Sequence, residues 1–311
     1  MKIHKGLDTI EPIQNAVVTI GTFDGVHIGH QEILQRLKEI ATKIEGETVV
    51  VTFWPHPRLV LFPDDNSLKL LSTFEEKADI LANLGIDHLV AIPFTKKFSQ
   101  LTSEQFTQQV LIDKIGTKRL VIGYDHRFGK NREGSFEHLK ANEKKYGFVV
   151  EEISKQEIDN IAISSTKIRK ALDIGDVKTA NSYLGQHYSI AGKVVEGNKI
   201  GRKLGFPTAN IEIAEKFKLV PADGVYAVKV FLENGTFQGM LNIGNRPTIG
   251  DAKRSIECNI FDFSSDIYHR TIKVELLERV RAELKFENVE QLKEQLERDR
   301  TLVKSFLKPY F

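Results

Sequence analysis

His27 and His30 stand in the string Thr19-Ile20-Gly21-Thr22-Phe23-Asp24-Gly25-Val26-His27-Ile28-Gly29-His30, at the point where a strand hands over to a helix. Ala16 to Ile20 is a short apolar, β-branched run, and Ile33, Leu34, Leu37, Ile40, Ala41 and Ile44 recur at helical spacing. The pair therefore sits at a strand's carboxyl end and a helix's amino end, where unpaired backbone N–H groups and the helix dipole favour an anion. Two imidazoles add hydrogen bonds, and positive charge when protonated, to phosphate oxygens whose charge grows during nucleotidyl transfer. An isolated H-x-G-H string fits a satisfied pair of loop histidines equally well. The strand, turn and helix around this one favour the phosphate reading.

Two further stretches carry chemistry. Ile163-Ser164-Ser165-Thr166-Lys167-Ile168-Arg169 opens a helix expected to run to about Asp173, with hydroxyls and amides at its start and cations on its face. Taken alone, it is also an ordinary serine cap before a basic helix. Gly197 to Asn210 is glycine-rich but is not a Walker A loop, since no G-K-[ST] follows the glycines at the required spacing. Its glycines let backbone amides approach phosphate, and Thr208 and Asn210 present neutral oxygens on one face of an extended chain, the hard ligands that Mg²⁺ prefers. A glycine-rich hairpin before an edge-strand proline is the competing reading.

These groups need two kinds of scaffold. From Ala16 to about Gly175, strand-like runs (Thr48 to Phe53, Leu89 to Pro93, Leu120 to Gly123, Phe148 to Ile153) alternate with helical ones. The helix from Phe74 to Leu84 starts on Thr73-Phe74-Glu75-Glu76 and stops at Gly85, and another starts on Thr102-Ser103-Glu104-Gln105 and stops before Gly116. Such alternation predicts a parallel sheet flanked by helices, with ligands at the strands' carboxyl edges. After about Leu184 the pattern changes to strands at Tyr188 to Val195, Gly224 to Phe231, Phe237 to Asn242, Ser255 to Phe263 and Thr271 to Leu277, which predicts an antiparallel barrel or sandwich. Glu233-Asn234-Gly235 marks a tight hairpin. Val289, Leu292, Leu296, Val303 and Phe306 return to helical spacing, predicting a last helix over the barrel's open face or end.

The composition fits two globular domains: 311 residues, 41% hydrophobic and 28% charged. A net charge of +2 makes no broad basic field, so neither nucleic acid nor an anionic membrane is expected as a partner. The single cysteine, Cys258, cannot close an intramolecular disulfide, and no Cys/His cluster has zinc spacing; a reducing, cytoplasmic setting fits this cysteine usage. Met1 to Glu11 mixes Lys2, Lys5, Asp8 and Glu11 and reads as neither signal peptide nor anchor.

F-D-G-V-H-x-G-H combined with I-S-S-T-x-I-R resembles the nucleotidyltransferase module of the bacterial bifunctional riboflavin kinase/FAD synthetases. The resemblance implies that His27 and His30 bind ATP phosphates and stabilise the transition state for adenylyl transfer to FMN. It implies further that Ser164, Ser165, Thr166 and Arg169 close over the triphosphate and leaving pyrophosphate, with Gly21, Phe23, Gly29 and Asp125 completing the ATP site. Phe53 to Arg58 looks like the family's P-H-P loop, and Gly123 to Gly129 like its glycine-flanked loop. There the chain departs from the family, with His126 where phenylalanine is usual. The resemblance implies that the FMN phosphate attacks the α-phosphorus of ATP directly; because that phosphate is already ionised near neutral pH, the attack needs positioning and charge stabilisation and no strong base.

In the second half, G-R-x-L-G-F-P-T-A-N resembles the signature of the family's riboflavin kinase domain; Gly201, Lys203, Gly205, Pro207 and Thr208 are then ATP contacts, and Thr208 and Asn210 hold Mg²⁺. Asn242 to Thr248 matches the N-I-G-x-x-P-T loop and Gly224-Val225-Tyr226 the G-V-Y strand start. Glu257 falls where the family has its catalytic glutamate, although its pattern alone reads as a solvent-facing acid on an alternating strand. Arg281, Glu283, Lys285 and Phe286 resemble the L-R-x-E-x-K-F segment by the flavin, with Phe286 expected to pack the barrel end. Tyr268-His269 departs from the usual Y-G, which a turn without positive φ would tolerate.

The resemblance spans nearly the whole chain and implies a Rossmann-like domain over 1–184 followed by a riboflavin kinase-like barrel over 185–311. It implies riboflavin, FMN, FAD, ATP, ADP and pyrophosphate as substrates and products, with Mg²⁺ required and flavin not a redox group. Two other readings are a riboflavin kinase with an altered or silent first domain, suggested by His126, and a regulator that binds flavin or nucleotide without turnover. The sequence does not give the oligomeric state.

Overall fold

The computed structural model describes every residue except 9, 66, 125, 154–162, 198–199, 246–253 and 311, and leaves the side chains of 200, 203 and 245 undescribed. The chain divides into two compact units, Met1–Ser165 and Thr166–Phe311.

The first unit is built on six parallel strands, β1 (Lys2–Lys5), β2 (Val17–Ile20), β3 (Thr48–Trp54), β4 (His88–Pro93), β5 (Arg119–Gly123) and β6 (Val149–Ile153), in the order β1-β4-β3-β2-β5-β6. Strands with both faces covered must be apolar along their whole length, and β2 is buried at all four positions. Successive residues serve opposite layers: Val18, Val49, Val51, Val90 and Leu120 pack in one, while Val17, Val50, Leu89 and Val121 pack in the other. The order turns around at β2, which has β3 on one side and β5 on the other. A crevice opens at the carboxyl ends of strands at such a reversal. It is there that Gly21 to His27 follow.

Five strands and the helix stops agree with the periodicity. Thr73 and Glu76 form a reciprocal capping box on the helix Phe74–Asn83, Thr102 and Gln105 form another on Ser103–Phe106, and Gly85 and Gly116 take left-handed φ of 77° and 71°. β1 has no counterpart in the apolar periodicity. It is mostly exposed, burying only His4, and owes its strand form to register with His88–Ala91 of β4, a long-range pairing that leaves no apolar period of its own.

The second unit closes six antiparallel strands into a barrel, settling barrel against sandwich. They are β7 (Tyr188–Val195), β8 (Ala209–Glu212), β9 (Gly224–Leu232), β10 (Gly235–Asn245), β11 (Arg254–Ile260) and β12 (Thr271–Arg281), in the order β10-β11-β8-β7-β12-β9. Leu232 pairs with Gly235 across the tight hairpin at Glu233-Asn234. β8, absent from the expected strands, completes the circle between β7 and β11. The helix Val289–Leu307 lays Val303 and Leu307 against Val225 and Ala227 of β9, Met240 of β10 and Leu277 of β12. Ahead of the barrel, the helix Ser165–Asp173 is fixed to this unit by the Ala222 amide on the Leu172 carbonyl (2.9 Å) and by the Arg279 guanidinium on the Ile174 carbonyl (2.9 Å).

His269 takes φ 66°, so the turn before β12 does demand the left-handed region, and the tolerance expected of a relaxed turn fails. A non-glycine residue there costs about 1–2 kcal/mol, while glycine returns about 0.5–1 kcal/mol of that as chain entropy. The exposed His269→Gly variant is accordingly expected to be more stable by roughly 0.5–1 kcal/mol, read as a raised melting midpoint.

Candidate active sites

At the end of β2 the chain makes a tight turn in which Phe23 (φ 46°) and Val26 (φ 42°) both take left-handed backbone. Such conformations cost about 1–3 kcal/mol each and persist only where the surroundings over-determine them. Here the restraints are specific. The buried Asp24 carboxylate accepts the amides of Leu71 (2.9 Å) and Ser72 (3.2 Å), and the Gly25 amide donates to Ser72 Oγ at 3.2 Å. Lys77 Nζ donates to the Thr22 carbonyl at 2.6 Å. Phe23 and Val26 are themselves buried in the apolar layer beside the helix Ile28–Lys43.

The turn delivers His27 as the residue that precedes this helix and His30 into its first turn. Their rings stack at 3.7 Å between centroids and 17° between planes, and His30 also meets the Phe23 ring at 4.9 Å. A β-carbon at Gly29 would lie 3.3 Å from the His27 ring, so glycine is what lets the imidazole lie flat there; at Gly21 it would meet the Phe23 ring at 3.0 Å. Burial first, then His27 and Lys77, hold His30 well below the ordinary histidine pKa, and its buried Nδ1 has no hydrogen-bond partner among the described residues. A desolvated ring with an unsatisfied nitrogen at a helix start suits the phosphates of a nucleotide.

Ser165 Oγ donates to the Asp24 carbonyl at 3.2 Å, bringing the start of the I-S-S-T segment onto the histidine turn. Ser164 is exposed beside it, and Thr166 and Arg169 continue the helix Ser165–Asp173 with buried Ile168 between them. Asp125 lies outside the described residues. The His126 ring stacks on Phe128 at 5.8 Å and 24°.

In the barrel, pairing register builds the second site. Glu257 of β11 stands opposite Asn210 of β8 on one side and Asn242 of β10 on the other, so the three side chains share one face. Glu257 is half-buried, and Thr208 Oγ1 donates to its Oε2 at 3.2 Å. The carboxylate therefore sits among polar oxygens, unlike the solvent-facing acid that alternation alone suggests. At Gly197 a β-carbon would fall 2.2 Å from Asn210 Nδ2, and at Gly201 2.3 Å from the Phe206 carbonyl; both glycines are required by close approach. Gly205 has φ 84°. Pro207 offers its carbonyl to Asn259 Nδ2 at 2.7 Å, which ties the loop to β11. The side chain of Lys203 and residues 246–248 of the N-I-G-x-x-P-T loop are outside the described set. Glu283 lies against Gly244 of that loop, at a point where a β-carbon would meet its Oε1 at 2.2 Å. The Arg281 guanidinium is committed to the buried Asp299 through Nε at 2.9 Å and Nη2 at 2.7 Å, and lies 6.0 Å from the Phe286 ring.

The motifs include Asp24 and Asn242 without showing what their side chains meet, and they leave out Lys77 and Asn259. Asn242 meets Glu257 through strand register, and Asn259 meets the loop at Pro207. Asp24 lay inside the motif, and its short side chain before a glycine was a signal for a turn brace. Lys77 had none, since lysine on an amphipathic helix ordinarily faces water.

A Rossmann-type sheet with a histidine turn at its reversal point, joined to a barrel with a carboxylate beside neutral oxygens, defines a two-domain transferase that uses nucleotides. The FAD synthetase family model matches residues 9–167 and the riboflavin kinase model residues 184–307. Bifunctional riboflavin kinase/FMN adenylyltransferases of Haemophilus influenzae and of Buchnera aphidicola from Schizaphis graminum are 38% and 40% identical, each over 98% of this chain and 99% of theirs. The Escherichia coli K12 enzyme of that description is 36% identical, over 98% of both chains. The chain belongs to this bifunctional family. A solved structure described as a macrolide-efflux protein from Streptococcus pneumoniae has TM-score 0.85 and 33% identity, over 97% of this chain and 98% of that one. Among the described residues, no helix is long and apolar enough to cross a membrane.

Proposed function

We propose that the barrel transfers the γ-phosphoryl group of ATP to riboflavin, giving FMN and ADP, and that the first domain transfers the adenylyl group of ATP to FMN, giving FAD and pyrophosphate. The observation that carries this reading is the presence, in one chain and in family order, of a stacked His27–His30 pair at a helix start and of Glu257 bonded to Thr208. We assign residues 1–184 to adenylyl transfer and 185–311 to the kinase, working in the cytoplasm.

In the kinase, Glu257 accepts the proton of the ribityl terminal hydroxyl as that oxygen attacks the γ-phosphorus. Thr208 and Asn210 offer the hard, neutral oxygens that suit Mg²⁺, whose contribution when bound is to offset phosphate charge. Gly201 and Gly205 let the loop backbone approach the triphosphate, with Lys203 and Pro207 in the same loop. Glu283 borders the flavin beside Gly244, and Arg281, held by Asp299, frames that edge. In adenylyl transfer, His27 and His30 hydrogen-bond the phosphates, Gly21, Phe23 and Gly29 shape the turn that presents them, and Asp125, Ser164, Ser165, Thr166 and Arg169 complete the nucleotide site. The flavin phosphate displaces pyrophosphate directly, with no nucleotide bound covalently to the protein.

Chromatography of products from riboflavin, ATP and Mg²⁺ over time tests both steps. FMN is expected to rise first and FAD after it. FMN that accumulates without FAD would indicate a silent first domain. Tight flavin binding without ATP consumption would indicate a regulator.

A further inference from the structure

Lys77 is a buried cation, 3% exposed, that no step above uses. It projects from the helix Phe74–Asn83, whose start is fixed by the Thr73–Glu76 capping box. Its Nζ donates to the Thr22 carbonyl at 2.6 Å, lies 3.5 Å from Thr52 Oγ1 and stands 5.5 Å from the centre of the Trp54 ring. A charge removed from water is costly unless it is paired and hydrogen-bonded, and a lysine needed only for packing would be replaced by an apolar residue without loss. Thr22 is the residue before the strained Phe23, so the ammonium grips the turn at the point where its backbone leaves ordinary geometry.

We propose that Lys77 is a positioning residue for adenylyl transfer, which clamps the Thr22 carbonyl so that the turn holds its two imidazoles at the crevice. The inference rests on the adenylyl-transfer reading above. The charged and titratable groups that interact with it are Asp24 from the turn and His30 from the helix start, with the neutral Thr52 and Trp54 contributed by β3. Burial pushes Lys77 down to about 8, opposed in part by Asp24. Lys77 in turn adds to burial and to His27 in disfavouring a proton on His30. Removing the cation therefore lets that imidazole bind a proton at higher pH.

The full-length chain and its Lys77→Met and Lys77→Arg variants test this, with FAD formation followed from supplied FMN, ATP and Mg²⁺. Phosphorylation of riboflavin by the same molecules is an internal control, and the melting midpoint followed by circular dichroism reports folding. In Lys77→Met, kcat for FAD is expected to fall about 10–100-fold, as a displaced catalytic group does. KM for ATP should change far less, and the limb of the kcat/KM profile that His30 sets should move to higher pH while FMN formation stays at the wild-type rate. Lys77→Arg, which keeps donor and charge, is expected to recover most of kcat and the original limb. A folded Lys77→Met with wild-type kcat and an unmoved limb overturns the clamp, as does a loss of rate that only tracks the unfolded fraction. A wild-type chain that makes no FAD overturns the adenylyl-transfer reading and the clamp with it.

Discussion

Glu257→Ala is expected to abolish FMN formation from riboflavin while leaving FAD formation from supplied FMN near its wild-type rate. A positioned general base contributes about 10²–10⁴-fold, so the fall in kcat should reach at least that range. The substitution removes the acceptor of the Thr208 hydroxyl, which weakens the neighbouring oxygen site as well. Glu257→Gln keeps an acceptor at that place, and a rate as low as that of the alanine variant would assign the loss to proton acceptance. The control is the barrel's melting midpoint. Glu257 is half-buried between Asn210 and Asn242, and β11 keeps its backbone pairing with β8 and β10, so the fold should survive.

His30→Ala is expected to do the reverse. FMN should form normally and stop there, with kcat for FAD lowered about 10²–10³-fold, the cost of losing one transition-state hydrogen-bond donor. Equal losses in kcat and kcat/KM would place the interaction in the transition state, whereas a rise in KM alone would make His30 a ground-state contact. The ring also packs on His27 and Phe23, so His30→Gln separates lost packing from lost chemistry. A folded variant of either residue that lost both activities would refute independent sites.

The places where sequence and structure part have physical causes that can be named. Caps and helix stops were legible because they depend on residues three or four apart: Thr73 with Glu76, Thr102 with Gln105, and glycines at Gly85 and Gly116. β1 and β8 were not, because a four-residue strand at an edge or a closure takes its form from a partner far along the chain. The His126 departure, which suggested a silent first domain, corresponds to an imidazole stacked on Phe128. At His269 the backbone turned out to require what glycine does best.

By itself the sequence determined the two scaffolds, the histidine turn, the serine-rich helix start and the glycine-rich kinase loop, since period, turn chemistry and motif spacing are local properties of the chain. Only the tertiary structure decided that Glu257 lies between Asn210 and Asn242 with Thr208 on its oxygen, because strand register sets which side chains share a face and is fixed by the whole barrel. It likewise decided that Asp24 binds the amides of Leu71 and Ser72 and that Lys77 turns inward onto Thr22. Those bonds span 47, 48 and 55 residues, and a polar side chain enters a core only where the fold has already placed a partner for it.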